Sequence, residues 1–81
     1  MLLLPVAALA TQRDLTLRRA YIKKHPCPFT AEEGCILDHK IALCLGGPDA
    51  PENLQWITKA QAKVKDRDDK RACAALRRER R

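Results

Sequence analysis

The sequence predicts one small α+β domain, in which a helix is followed by a strand, a loop, a second strand and a long final helix. Its 81 residues suffice for a single domain. Two short aliphatic runs, 35–44 and 53–57, flank the turn signal Gly46-Gly47-Pro48-Asp49. Residues 59–81 are rich in Ala, Lys, Gln and Arg and contain neither Pro nor Gly, which favours helix.

The N-terminal segment has two open interpretations. Residues 1–10 form an apolar run that ends in small residues at the spacing of a signal-peptidase site, but they lack a basic start. The run is either an export-signal remnant or an apolar N-terminal helix, so an exported and a cytoplasmic location both stay open. It is too short to span a membrane. A helix is predicted from Thr11 to His25-Pro26, the predicted domain covers 11–72, and 73–81 form a basic C-terminal extension.

The positive charge of the chain is concentrated near its C-terminus. Residues 1–56 carry six Lys/Arg and six Asp/Glu, whereas residues 57–81 carry ten Lys/Arg and four Asp/Glu. The whole net charge of +6 therefore lies in the second segment. Such a segment favours a polyanionic partner, of which nucleic acid is the commonest, although an anionic membrane surface fits the same charge.

The four cysteines, at positions 27, 35, 44 and 73, contain no Cys-x-x-Cys pair, which disfavours a zinc ribbon. In an exported protein two disulfides are expected, and three pairings are possible. The favoured pairing joins Cys27 to Cys35, around the loop 28–34, and Cys44 to Cys73, between the predicted hairpin and the last helix. In a cytosolic protein the same residues would be reduced and mostly buried.

Polar and glycine residues occur in a specific order along the chain. Asp38-His39 alone is a weak signal, because an arbitrary Asp-His pair usually has a structural role. The ordered set is Pro26-Cys27-Pro28, Cys35, Asp38-His39, Leu43, Gly46-Gly47, Asn53-x-Gln55-Trp56-x-Thr58 and Ala62-Lys63-x-Lys65-Asp66. This set, within residues 20–70, resembles the HNH endonucleases and, among them, a bacterial and phage subgroup. The resemblance implies a small ββα-metal (His-Me finger) domain with an N-terminal helix and a basic C-terminal helix.

The resemblance also implies roles for three residues. His39 would be the general base that takes a proton from the water attacking a phosphodiester, a task that suits imidazole because it changes charge near neutral pH. Asp38 would ligate one divalent ion, most simply Mg²⁺, with Mn²⁺, Ni²⁺ and Zn²⁺ as alternatives. Asn53 would hold the loop that carries His39 through hydrogen bonds to the backbone.

The third metal ligand departs from the family pattern. The family places His or Asn nine positions after the middle Asn, and here that position is Ala62, which has no donor atom. Gln61 and Asp66 are the candidate replacements, since each side chain has an oxygen and Asp66 lies one turn beyond Ala62 on the same helix face. Lys40 replaces an apolar residue after His39 and adds a cation near the predicted metal.

Four basic side chains are candidate phosphate contacts, and they are Lys40, Lys63, Lys65 and Arg67. The three on the last helix are also typical of a solvated helix face. Trp56 is predicted to lie in the core, with base stacking as the alternative.

The predicted function is divalent-metal-dependent hydrolysis of DNA by an HNH endonuclease with His39 as the base. DNA is favoured over RNA, and sequence preference is expected to be weak because no element is suited to reading base edges. Two alternatives stay open. The first is an HNH-fold module that binds nucleic acid but has lost catalysis through Ala62. The second is a secreted, disulfide-stapled basic protein without nuclease activity, whose basic tail meets a membrane or cell-envelope polyanion.

Overall fold

Two helices flank a two-stranded hairpin in the computed structural model, which describes the backbone of residues 6–80 and the side chains of residues 15–80. Helix α1 spans Val6–Lys24, strand β1 Ile36–His39, strand β2 Leu54–Ile57 and helix α2 Lys59–Glu79. Two single-turn 3-10 helices, Leu43–Leu45 and Pro51–Asn53, lie in the connection between the strands. The predicted α+β class and element order are confirmed.

The two strands pair antiparallel in a register that places the candidate residues at the end of the hairpin. Leu37 lies opposite Trp56, Asp38 opposite Gln55, and His39 opposite Leu54. His39 is the last residue of β1, so the chain turns into the loop directly after it. Because successive strand residues alternate between the two faces of a sheet, adjacent Asp38 and His39 start from opposite faces.

The hydrophobic core is small. Among the described residues, the buried apolar side chains are Leu37, Leu54, Ile57 and Cys73, and Leu54 is the most completely buried at 2% exposure. Burying one such aliphatic side chain contributes roughly 1.5–3 kcal/mol. A core of this size leaves a domain marginal, since small domains bury a low fraction of their surface. Polar and covalent contacts must therefore supply much of the remaining stability.

Helix α1 is attached to the hairpin by hydrogen bonds from long side chains. Arg18 donates to the carbonyl oxygen of Leu37 at 3.2 Å, and the Tyr21 hydroxyl donates to that of Leu54 at 3.4 Å. Trp56, which is half-buried, donates its indole N–H to the carbonyl oxygen of His25 at 2.6 Å, just beyond the helix. Trp56 thus joins the end of α1 to β2, and its side chain is neither fully buried nor fully exposed.

Helix α1 begins earlier than the predicted start at Thr11. Val6–Ala10, the second half of the predicted apolar segment 1–10, belong to α1, while residues 1–5 lie outside the described residues. No helix within residues 6–80 is long and apolar enough to cross a membrane.

Helix α2 begins with a capping box. The Thr58 side chain accepts from the backbone N–H of Gln61, and the Gln61 side chain accepts from that of Thr58. These two bonds satisfy amide groups that the first helical turn leaves unpaired. The helix then runs without interruption to Glu79, so the predicted boundary between 72 and 73 is a point inside α2 and 73–79 form its last turns. No Pro or Gly interrupts this stretch, which explains its continuity.

Two disulfides staple the fold. Cys27 is joined to Cys35, with a Cα–Cα distance of 6.1 Å, and Cys44 is joined to Cys73 at 5.8 Å. This is the pairing that the sequence favoured. The first bond closes a local loop, whereas the second ties the 3-10 helix Leu43–Leu45 to the buried face of α2. The second bond therefore holds together elements that are distant in sequence.

We expect loss of the second disulfide to destabilise the domain more than loss of the first. Closing a loop of separation 29 stabilises by about 3.6 kcal/mol on the chain-entropy account, against about 2.5 kcal/mol for a separation of 8. Cys44→Ser/Cys73→Ser also places a hydroxyl in the core at Cys73. Urea unfolding of the two double variants measures the difference, and Cys27→Ser/Cys35→Ser is the matched control. A lower midpoint for the control would contradict the expectation.

Candidate functional site

Asn53 organises the loop between the two strands. Its side chain is buried, at 5% residue exposure, and accepts from the backbone N–H of Ile41 at 2.9 Å. Its amide donates to the carbonyl oxygen of Ile41 at 2.9 Å and to that of Pro48 at 2.8 Å. The backbone of Asn53 also accepts from the N–H of Lys40 at 2.6 Å. One residue thereby holds both the segment after His39 and the turn that follows it, which is the role predicted for Asn53.

Gly47 allows the loop to close around Asn53. A Cβ atom at this position would overlap the carbonyl oxygen of Ile41 and lie 2.9 Å from Nδ2 of Asn53. The backbone N–H of Gly47 bonds to the carbonyl oxygen of Ala42 at 3.1 Å, which keeps the chain in this close approach. Only glycine leaves space for that approach. Gly47 is thus required by the same hydrogen-bond cluster that fixes the neighbourhood of His39.

His39 forms a pair with Asp49. The Nε2 atom of His39 lies 3.0 Å from Oδ1 of Asp49, and the two side chains are only 14% and 6% exposed. A carboxylate accepts hydrogen bonds, so ionised Asp49 places the ring proton on Nε2 and leaves Nδ1 as the atom able to take a proton. An acid that holds an imidazole in one tautomer and orientation is the arrangement used in general-base catalysis.

Asp38 pairs with a lysine of α2. The Lys65 ammonium lies 2.9 Å from Oδ2 of Asp38 and 2.6 Å from Oδ2 of Asp69, so it bridges carboxylates of β1 and α2. Oδ2 of Asp38 is shielded from solvent and receives no well-aligned hydrogen bond. The contact with Lys65 is thus an ion pair whose geometry is poor for a hydrogen bond.

The Lys65 pKa is raised above its ordinary value. Burial acts in the opposite direction and disfavours the charged form, but the hydrogen bond to Asp69 and the negative charges of Asp69 and Asp38 outweigh it. The ammonium is therefore kept charged at neutral pH. The stabilising effect of the charged Lys65 is present at neutral pH and is lost as the pH rises through the raised pKa.

An open cleft lies between the hairpin end and α2. Asp38 and His39 line one side of it, together with the segment Ala42–Cys44. From α2 the charged lining residues are Asp66, Asp69, Lys70 and Arg77. The carboxylates of Asp38, Asp66 and Asp69 are offset by the cations of Lys65, Lys70 and Arg77, so phosphate is not excluded by net negative charge. The cleft brings the predicted base together with basic side chains of α2.

The predicted metal ligands are not arranged around one point. Asp66 lines the cleft with Asp38, but Gln61 does not, and its side-chain oxygen is used in the α2 cap. The ammonium of Lys65 lies against Asp38. Within the described residues no group of three or more His, Cys, Asp or Glu side chains is placed to hold a metal ion. As arranged, these residues do not fit a divalent ion at Asp38, and the predicted ion stays a prediction.

The candidate phosphate contacts differ in how available their charges are. Lys40 and Lys63 are exposed, and Arg67 is 60% exposed with its Nε 3.4 Å from Oδ1 of Asp68. Lys65, by contrast, is engaged by Asp38 and Asp69. Lys70 and Arg77, which were not among the candidates, line the cleft.

The sequence did not single out Asp49 or Asp69. From the sequence, Asp49 was identified only as part of the Gly-Gly-Pro-Asp turn. No neighbouring residue in the sequence indicates that its carboxylate faces His39. Asp69 had a weak signal, since it lies four residues after Lys65 and such pairs face each other on a helix.

Comparison with known proteins found no matching family model, no matching curated protein and no matching solved structure. The likeness to HNH endonucleases therefore depends on the ordered residues of this chain.

Proposed function

We propose that the cleft binds the phosphodiester backbone of DNA and that His39 is the general base for its hydrolysis. The observation that carries this proposal is the His39–Asp49 pair, which is mostly shielded from solvent and whose imidazole lines the cleft. The carboxylate of Asp49 fixes the orientation of the His39 imidazole. Proton abstraction from an attacking water is the chemistry for which such a pair is suited.

The loop architecture supports the same proposal. Asn53 bonds to Ile41, two residues after His39, and to Pro48, directly before Asp49. The hydrogen bonds of one buried side chain thus position both members of the pair. Catalytic geometry requires such support, because a shift of about 1 Å in a reacting group can cost about 10²-fold in rate.

The charge distribution supports a phosphate ligand. Lys70 and Arg77 line the cleft beside its three carboxylates, and the surrounding segment 57–81 carries the whole net charge of +6. Cationic side chains beside a cleft attract nucleic acid mainly through its phosphates, without reading sequence. We therefore expect cleavage or binding with little base preference and a strong dependence on salt.

A plasmid-nicking assay tests the proposal. The purified chain is incubated with supercoiled DNA in Mg²⁺, Mn²⁺, Ni²⁺, Zn²⁺ or EDTA, beside His39→Ala. We expect nicking by the wild-type protein and its loss in His39→Ala, because this substitution removes the imidazole that Asp49 orients. The matched control is His25→Ala, which removes the other histidine of the chain, an exposed residue beyond α1.

The ion and EDTA arms test the predicted metal separately. Cleavage that EDTA abolishes would support the predicted divalent ion, whereas cleavage that survives EDTA would support hydrolysis without it. Absence of nicking under all conditions, from folded protein, would refute the catalytic proposal.

A second candidate function is nucleic-acid binding without cleavage. Ala62 at the usual third-ligand position and the Lys65 ammonium at Asp38 both favour it. Filter retention of DNA that falls steeply between 50 and 200 mM salt, with no nicking, is the result expected for that function.

A further inference from the structure

The Lys65 ammonium lies where a cation is required. It contacts Oδ2 of Asp38 on β1 and Oδ2 of Asp69 on α2, at 2.9 and 2.6 Å. The side chains of Asp38 and Asp69 are largely shielded from solvent, at 22% and 28% exposure. Two carboxylates that converge on one point repel each other unless a cation lies between them, and partial burial strengthens that repulsion.

A divalent ion and this ammonium exclude each other. Mg²⁺ binds carboxylate oxygens at about 2.0–2.1 Å and occupies the space between them. An ammonium within 2.9 Å of Oδ2 of Asp38 fills that space and repels a second cation. Lys65 is also anchored on the same helix as Asp69, four residues earlier, so it competes from within the chain at high effective concentration.

We propose that Lys65 is a built-in cation that takes the place of a divalent ion between Asp38 and Asp69, and that a divalent ion binds there only when this ammonium is removed. The inference concerns the cleft of the proposed function but needs no catalytic activity, because it is measured by metal binding. The Lys65 ammonium already neutralises the carboxylates of Asp38 and Asp69. These carboxylates therefore do not attract a divalent ion, which explains why the predicted metal ligands do not converge on one point.

Manganese binding tests the inference. Free Mn²⁺ is measured by its EPR signal during titration of the wild-type protein, Lys65→Met and Lys63→Met. Lys63→Met is the matched control, since it removes the charge of an exposed lysine from the same helix. We expect wild type and Lys63→Met to bind Mn²⁺ weakly and alike. Lys65→Met should bind one ion at least about tenfold more tightly, because ligand charge sets affinity at carboxylate sites.

Further variants locate the gained site and guard against misfolding. Lys65→Met combined with Asp38→Asn should lose the gained ion, because the amide carries no charge. Lys65→Gln, which keeps a polar but uncharged side chain, should gain Mn²⁺ as Lys65→Met does. Circular dichroism checks that each variant is folded.

NMR of the wild-type protein tests the inference without any variant. We expect no selective paramagnetic broadening of the Asp38 and Asp69 amide resonances in sub-millimolar Mn²⁺. Selective broadening there, or a folded Lys65 variant that binds Mn²⁺ no better than wild type, would overturn the inference. Absence of nicking in the plasmid assay would refute the proposed function but would not overturn this inference. The two proposals are therefore tested by different results.

Discussion

Asp49→Asn is expected to slow DNA nicking by about 10²–10⁴-fold, the range that general-base assistance contributes. The amide retains an oxygen that can accept from Nε2 of His39, so the ring stays near its position. It no longer carries the negative charge that stabilises the imidazolium formed when Nδ1 takes a proton. The variant should therefore lose turnover while retaining affinity for DNA.

The structural alternative for Asp49 predicts a different outcome. If this carboxylate only packs the loop, Asp49→Asn should lower the melting temperature, and the nicking rate should fall only in proportion to unfolded protein. Glu52→Gln is the matched control, because it removes an exposed carboxylate from the same loop. Equal rates for the two folded variants would refute a role for Asp49 in proton transfer.

The element order was predictable because its signals are local. Gly46-Gly47-Pro48 marks a turn whatever the rest of the chain does, and 59–81 contain only residues compatible with helix. The start of α1 at Val6, five residues before the predicted start at Thr11, concerns an element end. Ends depend on packing and capping as much as on local preference.

Partners across the fold were not predictable in the same way. His39 and Asn53 were identified from their order in the chain, but the partner of His39 depends on how the loop 40–53 closes. Lys65 was predicted to contact phosphate because it is a basic residue on the last helix, with a solvated helix face as the alternative. That Asp38 lies opposite it follows from the rotation of α2 against β1, which only the tertiary structure determines.

Asn53→Ala is expected to destabilise the domain by about 2–4 kcal/mol, because it leaves two carbonyl groups and one N–H of the loop without their partner. The groups belong to Ile41 and Pro48, which flank the His39–Asp49 pair. In a domain with so small a core, this is a large part of the stability. Urea unfolding measures the loss, and nicking should also fall, since the pair loses its support.

The variant Asn53→Asp separates the hydrogen bonds from side-chain volume. Its carboxylate can still accept from the N–H of Ile41, but when ionised it faces the carbonyl oxygens of Ile41 and Pro48, which the wild-type amide bonds as donor. The folded state then favours the protonated acid, so its pKa is raised on folding and stability is recovered as the pH falls through that value. Asn53→Ala has no proton to gain at this position and should show no such recovery relative to wild type. Equal pH dependence in the two variants would show that the donor bonds of Asn53 do not hold the loop.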